Sequence, residues 1–155
     1  MLTRSDSMNY VTSCHQVESC VVNANVGKVW DALKTFNFQK VLPSHVKQSK
    51  FLTGGPNEVG STFEIEYNDG SLWTWRIIEI SENHRSVSYE LLAAKPEVTY
   101  SSQQNHIKLS KITFDNTTYV EWSSDFSNDV DSHVVQDNKF KKHDYFKEIQ
   151  KNFAN

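Results

Sequence analysis

Between Gly60 and Phe126 the chain alternates apolar and polar residues in short runs: "STFEIEY", "SLWTWRIIEI", "RSVSYELLA", "TYSSQQNHIKLSKITF" and "YVEWSSDF". The clusters "NDG", "SENH", "AKPE" and "DNTT" separate them. Period-two runs punctuated by turn residues predict consecutive antiparallel strands. Upstream, "HQVESCVVNA" predicts a first strand, after which the period changes. In "NVGKVWDALKTFN", Val26, Val29, Trp30, Leu33 and Phe36 recur at helical spacing, with Asn25 placed to cap the start. Pro43 stops any helix at Leu42 or before, so a short second helix gives way to a strand near Val46–Phe51, and "LTGGPNEVG" is a turn. The final "SHVVQDNKFKKHDYFKEIQKNFAN" returns to helical spacing, with Val135, Phe146, Ile149 and Phe153 on one stripe. The predicted order is strand, helix pair, six strands, long helix. This is an α+β layout in which the last helix lies across a curved antiparallel sheet.

Strand parity sorts side chains between two faces. Phe63, Ile65 and Tyr67 oppose Thr62, Glu64 and Glu66; Trp73, Trp75 and Ile77 oppose Thr74 and Arg76, although Ile78 and Ile80 blur that strand's far end. Val87, Tyr89 and Leu91 oppose Ser88 and Glu90. Tyr100, Ser102, Gln104 and His106 share one parity, as do Val120, Trp122, Ser124 and Phe126. The predicted inner face is therefore rich in aromatic residues with polar tips: Tyr67, Trp73, Trp75, Tyr89, Tyr100 and Trp122, together with Gln104. A buried Tyr or Trp must find a partner for its hydroxyl or N–H, so such a set suits an apolar pocket with a few convergent polar groups. It also suits a core in which the rings simply fill space.

Composition narrows the partners. At 155 residues the chain has the length of one domain, and 16 Lys+Arg against 19 Asp+Glu give a net charge of −3 with no basic footprint for nucleic acid. No apolar run reaches the ~20 residues that span a bilayer, and the opening residues carry no continuous apolar segment of a signal peptide. A soluble, cytoplasmic protein is expected. Residues 1–12 are expected to form a loose terminus and 13–155 a single ligand-binding domain. Cys14 and Cys20, on one strand, would sit about 20 Å apart and stay reduced.

The order of elements and several stretches resemble a known superfamily. The stretches are "VWDALKTF", "KVLPSHVKQSKFLTG", "EVGSTFEI", "IIEISENHRSVSYELL" and "TTYVEWSSDF". From about Val17 to Phe153 the chain is similar to START-like, birch-pollen-allergen-like helix-grip domains. Within them it resembles the polyketide cyclase/dehydrase branch that includes abscisic-acid receptors and lachrymatory-factor synthase. The resemblance implies a seven-stranded curved sheet gripping the C-terminal helix, two short helices between strands 1 and 2, and a cavity for lipids, sterols, hormones or polyketides. It does not carry the catalytic groups over. Phe63 stands where the synthase has an arginine and Trp75 where it has a glutamate, and neither ring can move a proton. Lys47 matches the hormone receptors' cavity lysine, whereas "NDGS" and "AKPEVTY" lack their gate and latch. A lysine on an alternating strand equally suits solvent.

Other chemistry is sparse. The six histidines form no H-x-H or H-E-x-x-H, and "SNDVDSH" lacks the spacing of a calcium loop and reads as a capped helix start. There is no G-x-S-x-G and no phosphate loop; Tyr100 and His106 would lie about 20 Å apart, too far to act on one atom. The basic outer face of "KFKKHDYFKEIQK" suits a solvated helix better than a membrane. No cofactor and no metal are expected. The leading expectation is a non-enzymatic binder of a small hydrophobic ligand. Its walls are Phe63, Ile65, Trp73, Trp75, Tyr89, Leu91, Trp122, Phe146 and Ile149, with Tyr67, Tyr100, Gln104 and Lys47 orienting the ligand. A cyclase- or dehydratase-like enzyme with a non-standard site, and a protein-interaction module with a filled core, are the alternatives.

Overall fold

A computed structural model describes residues 13–154; the terminus expected to be loose, residues 1–12, lies outside the described residues. The chain order is β1 (His15–Val22), α1 (Val26–Leu33), α2 (Phe38–Val41), β2 (Val46–Thr53), β3 (Thr62–Tyr67), β4 (Leu72–Ser81), β5 (Ser86–Lys95), β6 (Gln103–Ile112), β7 (Thr117–Phe126) and α3 (Ser132–Phe153). The strands form one antiparallel sheet in the order β1-β7-β6-β5-β4-β3-β2. Every neighbour except β1–β7 is also a neighbour in sequence. The long connection from β1 is thus the one place where helices α1 and α2 can enter and close one end of the sheet.

Local chemistry sets the boundaries. Asn25 caps α1 by accepting from the Gly27 N–H at 2.8 Å, and Val26, Val29, Trp30 and Leu33 form its buried face. Trp30 keeps its indole N–H satisfied on Glu82 at 2.8 Å. Pro43 follows Leu42, the C-cap of α2, whose Phe38 and Val41 are buried. Asp131 caps α3 through the His133 N–H at 2.8 Å, the capped start anticipated from "SNDVDSH".

Among the departures from regular alternation, which include a register shift between Thr74 and Trp75, two account for where the inner face differs from the sequence pattern. A register shift lies between Ile77 and Glu79, so Ile77 faces Tyr89 while Ile80 faces Val87. One extra residue at Ile78 returns Ile80 to the core side, which is why the sequence alternation blurred there. The second is at the start of β6. Residues 99–101 are bent rather than extended, and the strand begins only at Gln103. Alternation counted from Tyr100 is therefore reset, and Gln103, Asn105, Ile107 and Leu109 point inward.

The main core gathers around Phe36, Phe38 and Phe63, beneath Tyr89 and Trp122. Phe36 sits in the left-handed region at φ 56, yet its ring is 2 % exposed and packs 5.1 Å from Phe63 and edge-on to Tyr89. Burial of an aromatic side chain outweighs the strain of about 1–2 kcal/mol at such a position. The turn after β2 is more demanding. Gly54 has φ +68, and a Cβ there would lie 2.1 Å from Ser61 Oγ, which already accepts from the Gly55 N–H. Gly70 has φ +89 with open space around it. Gly54→Ala should lower stability by at least about 2 kcal/mol and Gly70→Ala by only about 1, because the second adds strain without a clash. Thermal denaturation of the two variants side by side checks the order.

Candidate ligand cavity

α3 is buried only in its second half: Lys142, Phe146, Glu148, Ile149 and Phe153 are its buried residues, and none of residues 132–141 joins them. Glu148 ties this half to the segment before β2, accepting from the Ser44 N–H at 2.9 Å and lying 3.1 Å from His45 Nδ1. Burial pushes the Glu148 carboxyl up, but the hydrogen bonds from Ser44 and His45 outweigh it and hold the group below its ordinary value. Between the first half of α3 and the concave sheet lies a cavity of about 780 Å³.

Its mouth is formed by the β3–β4 turn (Asn68 to Ser71), by Pro96, and by Asp137, Lys141 and Asp144 on α3. Inside, Trp73 and Trp75 stack at 5.9 Å and 13°, and Trp75 meets Tyr89 edge-on at 5.1 Å. The two tryptophans divide the work. Trp73 is half-buried towards the mouth with its N–H on Ser71 Oγ at 3.2 Å, whereas Trp75 is 3 % exposed. Trp75 Nε1 is the one buried side-chain polar atom without a hydrogen-bond partner among the described residues. A buried N–H left unpaired costs about 1–3 kcal/mol, and here the group belongs to a residue of the cavity wall.

A polar ribbon crosses the floor on three adjacent strands. Tyr89 on β5 is opposite Asn105 on β6, which is opposite Ser124 on β7. Ser124 Oγ donates to Asn105 Oδ1 at 2.5 Å, and Gln103 Nε2 donates to the same oxygen at 3.2 Å. Tyr100 donates to Gln103 Oε1 at 2.5 Å. At the end of the ribbon Lys142, 2 % exposed, donates from Nζ to Ser124 Oγ at 2.8 Å, to Gln16 Oε1 at 2.6 Å and to Asn138 Oδ1. Burial lowers the Lys142 ammonium to about 7, against the weaker upward pull of Glu18 and Asp125. Desolvation likewise raises the hydroxyls of Tyr67, Tyr89 and Tyr145, and brings Tyr100 to about 12, so all four are neutral donors.

Seven of the residues expected to form the site border the cavity: Ile65, Tyr67, Trp73, Trp75, Tyr89, Tyr100 and Trp122. Six do not. Gln104 is exposed on the outer face, since the bend before β6 inverts the parity, and Gln103 and Asn105 take the inward places. His106, assigned the same parity, also points outward, where it bonds Ser88 at 2.7 Å and Asp125 at 3.1 Å. Lys47 is exposed and lies 3.6 Å from Glu66, the solvent alternative for a strand lysine. Phe63, Phe146 and Ile149 are solid core behind the wall, and Leu91 packs between the two apolar clusters. The residues missed by sequence reading are chiefly polar: Asn105, Ser124 and Lys142. Lys142 carried a signal, because it stands four residues before Phe146 on the stripe that continues to Ile149 and Phe153.

Lys142 and the tyrosines give opposite pH signatures. The folded-state value of Lys142 lies below its ordinary 10.5, so between about pH 7 and 10.5 the unfolded chain binds more protons and stability rises with pH. The raised tyrosines act the other way above their ordinary 10.0, where the unfolded chain loses protons first. Urea unfolding from pH 7 to 9 should show a rise of at most about 2 kcal/mol attributable to this lysine. Lys142→Met should remove that rise and leave the loss above pH 10 in place.

The chain matches the sequence pattern of the family described as polyketide cyclase / dehydrase and lipid transport over residues 13–146. No curated protein sequence matches it significantly. Solved structures with the same fold include a protein from Nitrosospira multiformis, 23 % identical, which covers 90 % of this chain and 96 % of its own with a TM-score of 0.78. Protein XoxI from Bacillus cereus is 21 % identical over 90 % and 94 % of the two chains, with a TM-score of 0.70. The ginseng major latex-like protein 151 from Panax ginseng is 15 % identical over 91 % and 97 %, with a TM-score of 0.73. These likenesses carry the helix-grip fold of birch-pollen-allergen-like proteins. With the match over residues 13–146, the chain belongs to the polyketide cyclase / dehydrase and lipid transport family.

Proposed function

We propose that this protein binds a small, largely apolar molecule, of lipid or polyketide-like character, between the sheet and α3. The observation that carries the reading is a cavity of about 780 Å³ walled by three of the chain's four tryptophans. The volume falls within the roughly 300–1,000 Å³ of small-molecule sites. It speaks against a filled core serving only as a scaffold for protein contacts. Membership of a family whose description joins cyclases to lipid transport supports the same ligand class.

Affinity in such a site comes from apolar ligand surface removed from water, at about 25 cal/mol per Å². The rings of Trp73, Trp75 and Trp122 supply that surface with little side-chain entropy to lose. The groups matching the synthase's acid and base remain Phe63 and Trp75, and the first of these is fully buried behind the wall. Binding, with a transport or sensing role, is therefore the activity these residues support best.

Native mass spectrometry of gently purified protein should show a reproducible adduct that leaves on unfolding. Energy transfer from tryptophan to the neutral probe N-phenyl-1-naphthylamine should report saturable binding. Trp75→Glu, which places a carboxylate against an apolar ligand, should weaken the probe at least about tenfold. No adduct, together with no saturable transfer to the probe, would reject the reading.

A further inference from the structure

We propose that the ligand of this cavity is an amphipathic organic acid, its apolar body against the tryptophan wall and its carboxylate paired with Lys142. This rests on the cavity-binding reading and adds the chemistry of the head group. Lys142 borders the cavity and is 2 % exposed, and no carboxylate lies within ion-pair distance of its Nζ among the described residues. Its three donors are held by neutral oxygens on three elements: Gln16 on β1, Ser124 on β7 and Asn138 on α3. Three hydrogen bonds fix the ammonium in place without neutralising it. A buried ammonium lacking a counterion is costly, and an entering anion relieves that cost.

The surrounding acids are committed elsewhere. Glu18 on β1 accepts from Gln16 Nε2 at 2.8 Å and pairs with His143. Asp125 on β7 pairs with His15 at 2.6 Å and with His106 of β6 at 3.1 Å, on the outer face of the sheet. At the mouth Asp137 pairs with Lys141 at 3.0 Å, Asp144 reaches Lys147, and Asp69 of the β3–β4 turn accepts from Ser71 at 2.6 Å. Glu18 and Asp125 stay close enough to favour the ammonium, and burial still prevails over them. What the ammonium lacks is a counter-charge: its three donors are already held, and a carboxylate entering beside it takes up one of them in place of a neutral oxygen.

Decanoate and 1-decanol share a chain length and differ in the head group, and both can be titrated against tryptophan fluorescence. At pH 6.5 decanoate is expected to bind at least tenfold more tightly than the alcohol. Pairing with a carboxylate favours the charged lysine, so binding takes up a proton above about pH 7. Decanoate affinity should therefore fall several-fold between pH 7 and 9 while that of decanol stays level. Calorimetry in two buffers of different ionisation enthalpy should register the proton taken up. Lys142→Met should cut decanoate affinity at least tenfold and change decanol less than threefold. The wild-type pH series carries the same test if that variant does not fold. Equal binding of acid and alcohol with no pH dependence, or decanoate binding unaffected by Lys142→Met, overturns the head-group assignment and leaves the cavity reading intact. Binding of neither probe overturns both.

Discussion

Everything about the cavity follows from the uneven attachment of one helix. α3 is fastened by its second half, where Phe146, Ile149 and Phe153 enter the core and Glu148 holds Ser44 and His45. Its first half offers the sheet little apolar surface: Val134 and Val135 are half-buried, and the positions around them are polar. The hydrophobic effect pulls down only what is apolar, so the helix covers the concave face without filling it. A sequence that continued the stripe of large apolar residues towards Ser132 would close the space.

The cavity wall combines two kinds of side chain with different physical roles. The rings of β3 to β5 and β7 provide area, and their mutual stacking and edge-on contacts hold them in position whether or not anything is bound. The ribbon from Tyr89 through Asn105 and Ser124 to Lys142 provides direction. Each member is satisfied by the next, except at its cationic end, where the charge is hydrogen-bonded but unbalanced. Low dielectric strengthens such a network and raises the penalty for whatever it leaves unmatched.

The outer face has its own polar system. His106 bridges Ser88 and Asp125, and Asp125 also meets His15. His15, His106 and Asp125 are partly exposed, and they lie on the opposite side of the sheet from the tryptophan wall. They tie β1, β5, β6 and β7 together, and Asp125 alone among them also acts through the sheet, favouring the Lys142 ammonium.

Local patterns by themselves determined the order of the elements, the caps at Asn25 and Asp131, the stop at Pro43, and the inward faces of β3, of the first half of β4, and of β7. These depend on neighbours within a few residues, which the sequence lists directly. Tertiary structure decided what depends on distant ones. The bend at residues 99–101 exchanged Gln104 for Gln103 and Asn105, because alternation is reset wherever a strand is interrupted. The extra residue at Ile78 returned Ile80 to the core for a related reason, a register shift against β5. Lys142 lay on the apolar stripe in plain view, yet a lysine is read as solvent-facing until its partners are known. Gln16, 126 residues away, and Ser124 become those partners only when β1, β7 and α3 meet.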